Sequence, residues 1–152
     1  MENTTKLIRD VRIANNTDLK TIAQIEHNLD NKLRYFDLLD YFKLVDNHIY
    51  VFTVNYMVYG YIMFREDDDN NIWIDRIMVD EDYRMQKIGT TLIAATRFYS
   101  HTVGKPRIIF DVPDKELSLQ LFLKCMKFNA TKIIGDKYRM EYWQSLKPYS
   151  TP

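Results

Sequence analysis

Arg84, Lys87 and Gly89 lie in a short polar turn between the apolar segment Ile72–Val79 and the helix-forming run that opens Gly89-Thr90-Thr91. Two full positive charges, one residue without a side chain and the start of a helix together describe a site for a phosphate or pyrophosphate. The first turn of a helix leaves N–H donors without intrahelical partners, and the macrodipole adds partial positive charge at that end. A strand entering a helix through such a turn aims those donors at whatever lies in front of the helix. The hydroxyls of Thr90 and Thr91 either donate to the same phosphate or cap the turn.

Holding that turn in place requires a sheet, and the chain supplies one. Residues 7–14 alternate as a first strand. Asn16 or Thr17 is placed to cap the next helix, whose apolar stripe runs through Leu19, Ile22, Ala23, Ile25 and Leu29. A second helical segment carries Leu33, Phe36, Leu39, Tyr41, Phe42 and Val45. Residues 48–54 and 58–65 are rich in β-branched and aromatic types and flank a turn, as an antiparallel hairpin does. The acidic run from Asp67 to Asn71 is either a solvated turn or a collar for a cationic substrate.

Beyond the basic turn, a helix from about Lys87 to Thr102 is expected to bury Ile88, Leu92, Ile93, Ala95 and Phe98. Residues 107–112, RIIFDV, read as a strand covered on both faces. Asp114 is placed to cap a helix over 115–126, with Leu117, Leu121, Phe122 and Cys125 inward. Two short strands, about 129–134 and 138–143, flank Gly135-Asp136. The expected order is β-α-α-β-β-β-α-β-α-β-β. Its central βαβ unit demands a parallel pair joined by a crossover helix. The expected class is α/β, a mixed sheet of about seven strands with helices on both faces, in one domain spanning 1–152.

Composition narrows the function. The chain is 46% hydrophobic, which is enough for a real core, and its 21 basic residues balance 21 acidic ones. That balance gives no global field for nucleic acid or an anionic membrane. No apolar run approaches a membrane span. The single cysteine, Cys125, excludes an intrachain disulfide framework and fits a reducing cytoplasm. His27, His48 and His101 are scattered without metal-ligand spacing, so no metal is expected.

This order and its local sequences resemble the GNAT superfamily of acyl-CoA-dependent N-acetyltransferases over nearly the whole chain. Val11–Glu26, VRIANNTDLKTIAQIE, is similar to the family's opening strand and helix. IMVDEDYRMQKIGTTLI, from Ile77, is similar to its pyrophosphate motif, Arg/Gln-x-x-Gly-x-Gly/Ala. Leu119–Phe128, LQLFLKCMKF, is similar to its late helix. Arg84 takes the first motif position and Gly89 the last, with Met85, Gln86 and Ile88 in variable slots. Lys87 stands where the family has its first Gly; a negative φ there would let its ammonium reach phosphate. In the late helix Glu116 replaces the usual Asn, Leu123 the Tyr that protonates the leaving thiolate, and Lys127 the Gly before Phe128.

The resemblance implies acetyl transfer from acetyl-CoA to a primary amine of a protein or small molecule, with strands 4 and 5 parallel and splayed. It places the pyrophosphate on Arg84, Met85, Gln86, Lys87, Ile88, Gly89 and Thr90, and the pantetheine on the backbone of Ile77, Met78 and Val79. An ammonium must lose a proton before it attacks, and a carboxylate on the line of attack assists that loss. Asp75 and Asp111 are the candidates, Asp75 with a salt bridge to Arg76 or another neighbour as its structural alternative. Tyr138 leads Tyr142 and Tyr83 as a replacement acid. The acidic run favours a cationic acceptor, and the late strands are placed to pair two copies in a homodimer. The rival expectation is the same fold without chemistry, a binding, inhibitory or structural protein.

Overall fold

The computed structural model describes residues 7–29, 33–80 and 87–145. Eleven elements follow the expected order: β1 Arg9–Ile13, α1 Asn16–Asn28, α2 Tyr35–Lys43, β2 Asn47–Val54, β3 Met57–Glu66, β4 Asn71–Val79, α3 Ile88–Val103, β5 Arg107–Pro113, α4 Leu117–Cys125, β6 Asn129–Ile134 and β7 Lys137–Trp143. The strands form one seven-stranded sheet in the order β1-β2-β3-β4-β5-β7-β6. β4 and β5 are its parallel pair, as the crossover through α3 requires.

Two compact units share this chain, one from residues up to Met63 with Ile77–Leu92, the other from Phe64–Arg76 with Ile93 onward. In the first, Leu19 and Ile22 of α1, Leu38 of α2, Ile49 and Val51 of β2 and Tyr61 of β3 form a buried cluster. α1 begins one residue earlier than expected. Asn15 is its N-cap and forms a capping box with Asp18, which also receives two hydrogen bonds from Arg12 at 2.5 and 3.0 Å. Asp18 carries its own carboxylate back to the Asn15 N–H, which neither Asn16 nor Thr17 could have arranged. The β2–β3 turn has both central residues, Asn55 and Tyr56, at positive φ, as a two-residue hairpin demands.

The second unit is closed by hydrogen bonds at its loops. Asp67 accepts from the backbone N–H of Asp69 and Asn71, the Asn71 amide and the Trp73 indole. Burial works to raise its pKa, but these four donors outweigh it and hold the carboxyl at about 2. The acidic run is therefore a stapled turn and not an open collar. A folded-state pKa below the unfolded value contributes stability that is complete above about pH 4 and disappears as pH falls toward 2. Asp67→Asn is expected to lower the melting temperature at pH 7 and to leave it close to wild type at pH 2.

Two helix faces differ from expectation. On α3, Phe98 is 76% exposed, while Thr96 and Ser100 are fully buried beside Leu92 and Ile93. Small polar residues fit there because their hydroxyls find partners, Ser100 donating to the Lys105 carbonyl. On α4, Leu117 and Leu121 are more than 60% exposed and Cys125 is exposed, while Leu123 is buried. The helix starts at Leu117, later than expected, and its cap is Glu116 rather than Asp114.

α4 ends in a Schellman motif: Phe128 N–H donates to the Leu123 carbonyl at 2.9 Å and Lys127 N–H to that of Lys124 at 3.0 Å, with Lys127 at φ +71°. The lysine has taken the left-handed geometry that glycine adopts without cost. Lys87 does the same at the start of α3, with φ +60°, so the negative φ considered from the sequence is not the one adopted. The left-handed region costs an L-residue about 1–2 kcal/mol, offset by glycine's larger unfolded-state entropy. Lys87→Gly and Lys127→Gly are each expected to raise stability by about 0.5–1 kcal/mol in denaturant titrations.

Candidate active site

The start of α3 in the first unit meets the requirements of an anion site. Its first helical bond runs from Thr91 N–H to the Lys87 carbonyl at 3.0 Å. The N–H groups of Ile88, Gly89 and Thr90 precede it and have no partner among the described residues. The Thr91 hydroxyl also donates to the Lys87 carbonyl, at 2.9 Å, which removes it as a phosphate ligand and leaves Thr90 as the available hydroxyl. Lys87 and Thr90 are exposed and Gly89 half-exposed, while Ile88 is buried and anchors the turn. Arg84, Met85, Gln86 and Tyr83 lie outside the described residues.

Gly60 on β3 permits this seating. A Cβ there would lie 2.8 Å from Cγ2 of Ile88, 3.1 Å from the Met78 carbonyl and 3.4 Å from Cδ1 of Leu92. The helix start therefore rests directly on strand backbone, and Met78 stands on the segment Ile77–Val79 expected to lie along the pantetheine.

In the second unit, β4 and β5 pair from Asn71↔Arg107 to Trp73↔Ile109 and then share no further register, so Ile74–Arg76 and Phe110–Pro113 part. Asp75 and Asp111 come two residues after the last bridged pair, on the face that carries Trp73 and Ile109. Neither carboxylate stands alone. Asp111 receives Nε and Nη2 of Arg139, both at 2.9 Å, in a two-point pair across the β5–β7 register. Asp75 receives Nε of Arg65 at 3.2–3.3 Å, a one-nitrogen contact to another neighbour on the adjoining strand. Trp73 lies near both arginines, its ring centroid 5.1 Å from Cζ of Arg65 and 5.0 Å from Cζ of Arg139. The hydrogen bond to Asp111, with the charge of that carboxylate, raises the Arg139 pKa and outweighs the desolvation that works to lower it.

Tyr138 is opposite Val112 in the β5–β7 register, so it projects from the other face of the sheet from Asp111. There it lines an open cleft of about 270 Å³ with Gln120, Lys124, Ala130 and Met140. Tyr142 is committed to packing, its ring 5.7 Å from Phe128 and 3.9 Å from the Arg97 guanidinium. Trp143 is 64% exposed.

The structure thus sets the two carboxylates on one face and Tyr138 on the other. Arg65, Arg139 and the placement of Trp73 were not anticipated. The Arg65 contact was recoverable: a hairpin closed by Asp67 and Asn71 puts Arg65 opposite Trp73 and diagonal to Asp75. The Asp111–Arg139 pair was not, because α4 separates the two strands and no local rule gives their register.

Residues 16–128 match the model of the acetyltransferase (GNAT) family, and the chain belongs to that family. No curated protein sequence matches the chain. Among solved structures it is similar in fold to the PaiA N-acetyltransferase of Thermoplasma acidophilum, crystallised with coenzyme A (TM-score 0.79, 15% identity, covering 90% of this chain and 99% of that one). It is similar also to the ribosomal-protein-S18-alanine N-acetyltransferase of Escherichia coli (TM-score 0.78, 13% identity, 95% and 99% covered) and to Arabidopsis thaliana NAA60 in complex with acetyl-CoA (TM-score 0.76, 16% identity, 90% and 98% covered).

Proposed function

We propose that this chain transfers an acetyl group from acetyl-CoA to a primary amine. The observation that carries the reading is the start of α3, where three N–H groups without a partner among the described residues sit on a helix seated by Gly60. These donors fit a pyrophosphate, and the solved relatives crystallised with coenzyme A or acetyl-CoA share this fold. Arg84, Met85 and Gln86 complete the donor set, and the backbone of Ile77–Val79 holds the pantetheine by strand-like pairing. The bound thioester supplies an activated acetyl carbon. The chain supplies the proton transfers.

Asp75 is the base we assign. Arg65 approaches it through Nε only, at 3.2–3.3 Å, a longer contact than the two 2.9 Å bonds by which Arg139 holds both oxygens of Asp111. Asp111 then positions Arg139 and, through it, Trp73. Tyr138, on the opposite face, is the acid for the departing sulfur.

A fold kept for binding alone is the competing reading, and buried Leu123, in place of the family's tyrosine, favours it. Incubating the protein with acetyl-CoA and a mixture of peptide and small amines, followed by mass spectrometry, tests the two. An amine gaining 42 Da with equimolar thiol release supports the transferase. Unchanged amines in the presence of bound acetyl-CoA support the binding protein.

A further inference from the structure

The sheet face that carries Asp75 and Asp111 has an uneven charge pattern. Register and alternation put Arg107, Ile109 and Asp111 of β5 on it with Lys137, Arg139, Glu141 and Trp143 of β7 and Lys132 of β6. Each carboxylate has an arginine: Asp75 with Arg65, Asp111 with Arg139, Glu141 with Arg107. The three pairs cancel. Lys132 and Lys137 remain, both exposed and without a counterion among the described residues. Arg65 commits only its Nε, so its two terminal amino groups have no described partner either. The face offers spare donors and a net charge of +2, and no carboxylate on it is free to collect a polycation.

We propose that this face selects acceptors whose amine begins a peptide chain with acidic side chains three or four residues further on. The proposal rests on the transferase reading and adds the class of acceptor. Its geometry follows from strand spacing. Arg139 lies two strands from Asp75 and Lys132 three strands from it, at least about 10 and 14 Å at roughly 4.8 Å per strand, because β4 and β5 have already parted at Asp75. An amine at Asp75 reaches those cations through about three or four extended residues at roughly 3.4 Å each. A free amino acid, with amine and carboxylate adjacent, cannot span that distance. Charge-assisted contacts to arginine and lysine then fix the peptide's register across the strands.

The test compares kcat/KM for acetylation of four acceptors at low and high salt: a heptapeptide with Glu at positions 4 and 5, the same peptide with Lys there, spermidine and free glutamate. The acidic peptide is expected to exceed the basic one at least tenfold at low salt. The margin should shrink at 0.5 M salt and be lost in Lys132→Glu/Lys137→Glu, two exposed positions outside the catalytic machinery, with acetyl-CoA affinity unchanged. Equal rates, a preference for the basic peptide or spermidine, free glutamate matching the acidic peptide, or a preference that survives the double variant would each overturn the proposal while leaving the transferase reading intact. Acetylation of none of the four, nor of any amine in the mixture above, would overturn both.

Discussion

Gly89→Trp is expected to weaken acetyl-CoA binding at least a hundredfold, about 2.7 kcal/mol. Gly89 lies in the first turn of α3, between two residues whose N–H groups also have no partner among the described residues, and is half-exposed. An indole at that position projects into the space a diphosphate must occupy and hides the donors behind it. The helix itself should tolerate the change, because glycine is among the poorest helix formers and the new side chain is not forced into the core. Titration calorimetry against acetyl-CoA, paired with a thermal melt, separates loss of the site from loss of the fold. A variant that melts normally and binds as tightly as wild type would remove Gly89 from the site.

Asp75→Asn is expected to lower kcat about 10²-fold with KM for acetyl-CoA little changed. Asparagine keeps the shape and a contact with Arg65 but cannot accept a proton from an ammonium. The loss should be smaller for an acceptor whose amine is already neutral near pH 7, because deprotonation is then no longer the obstacle. Asp111→Asn should act differently. It breaks a two-point pair with Arg139 and leaves a half-buried guanidinium short of a partner, so stability falls as well as rate. Steady-state kinetics over pH 6–9, with a denaturant titration of each variant, distinguish them. Equal kcat for Asp75→Asn and wild type at pH 7 would assign the base elsewhere.

The architecture was legible because periodicity carried it. β2, β3 and the β6–β7 hairpin are β-branched and aromatic runs between turn residues, and α1 shows its stripe at helical spacing. Helix faces near the site were less legible. Thr96 and Ser100 are buried although polar, and Phe98, Leu117 and Leu121 are exposed although apolar, because tertiary context overrides hydropathy at single positions.

The two lysines that replace family glycines show a different limit. A sequence records the loss of glycine at 87 and 127 but not that the backbone keeps glycine's conformation, since neighbouring hydrogen bonds such as that from Phe128 N–H to the Leu123 carbonyl enforce it. Asp75 and Asp111 were recognisable as carboxylates in strands. Their arginine partners depend on pairing across β3–β4 and β5–β7, and only the first of these is a hairpin whose register the sequence contains.

The central claim is that the amides at the start of α3 bind the diphosphate of coenzyme A. Backbone 1H–15N spectra of the labelled protein, titrated with coenzyme A, test it most directly. The account predicts that the Ile88, Gly89 and Thr90 amides shift downfield and saturate together, while Thr91, already bonded to the Lys87 carbonyl, moves less. Resonances of residues 88–90 that stay in place at millimolar coenzyme A would contradict it.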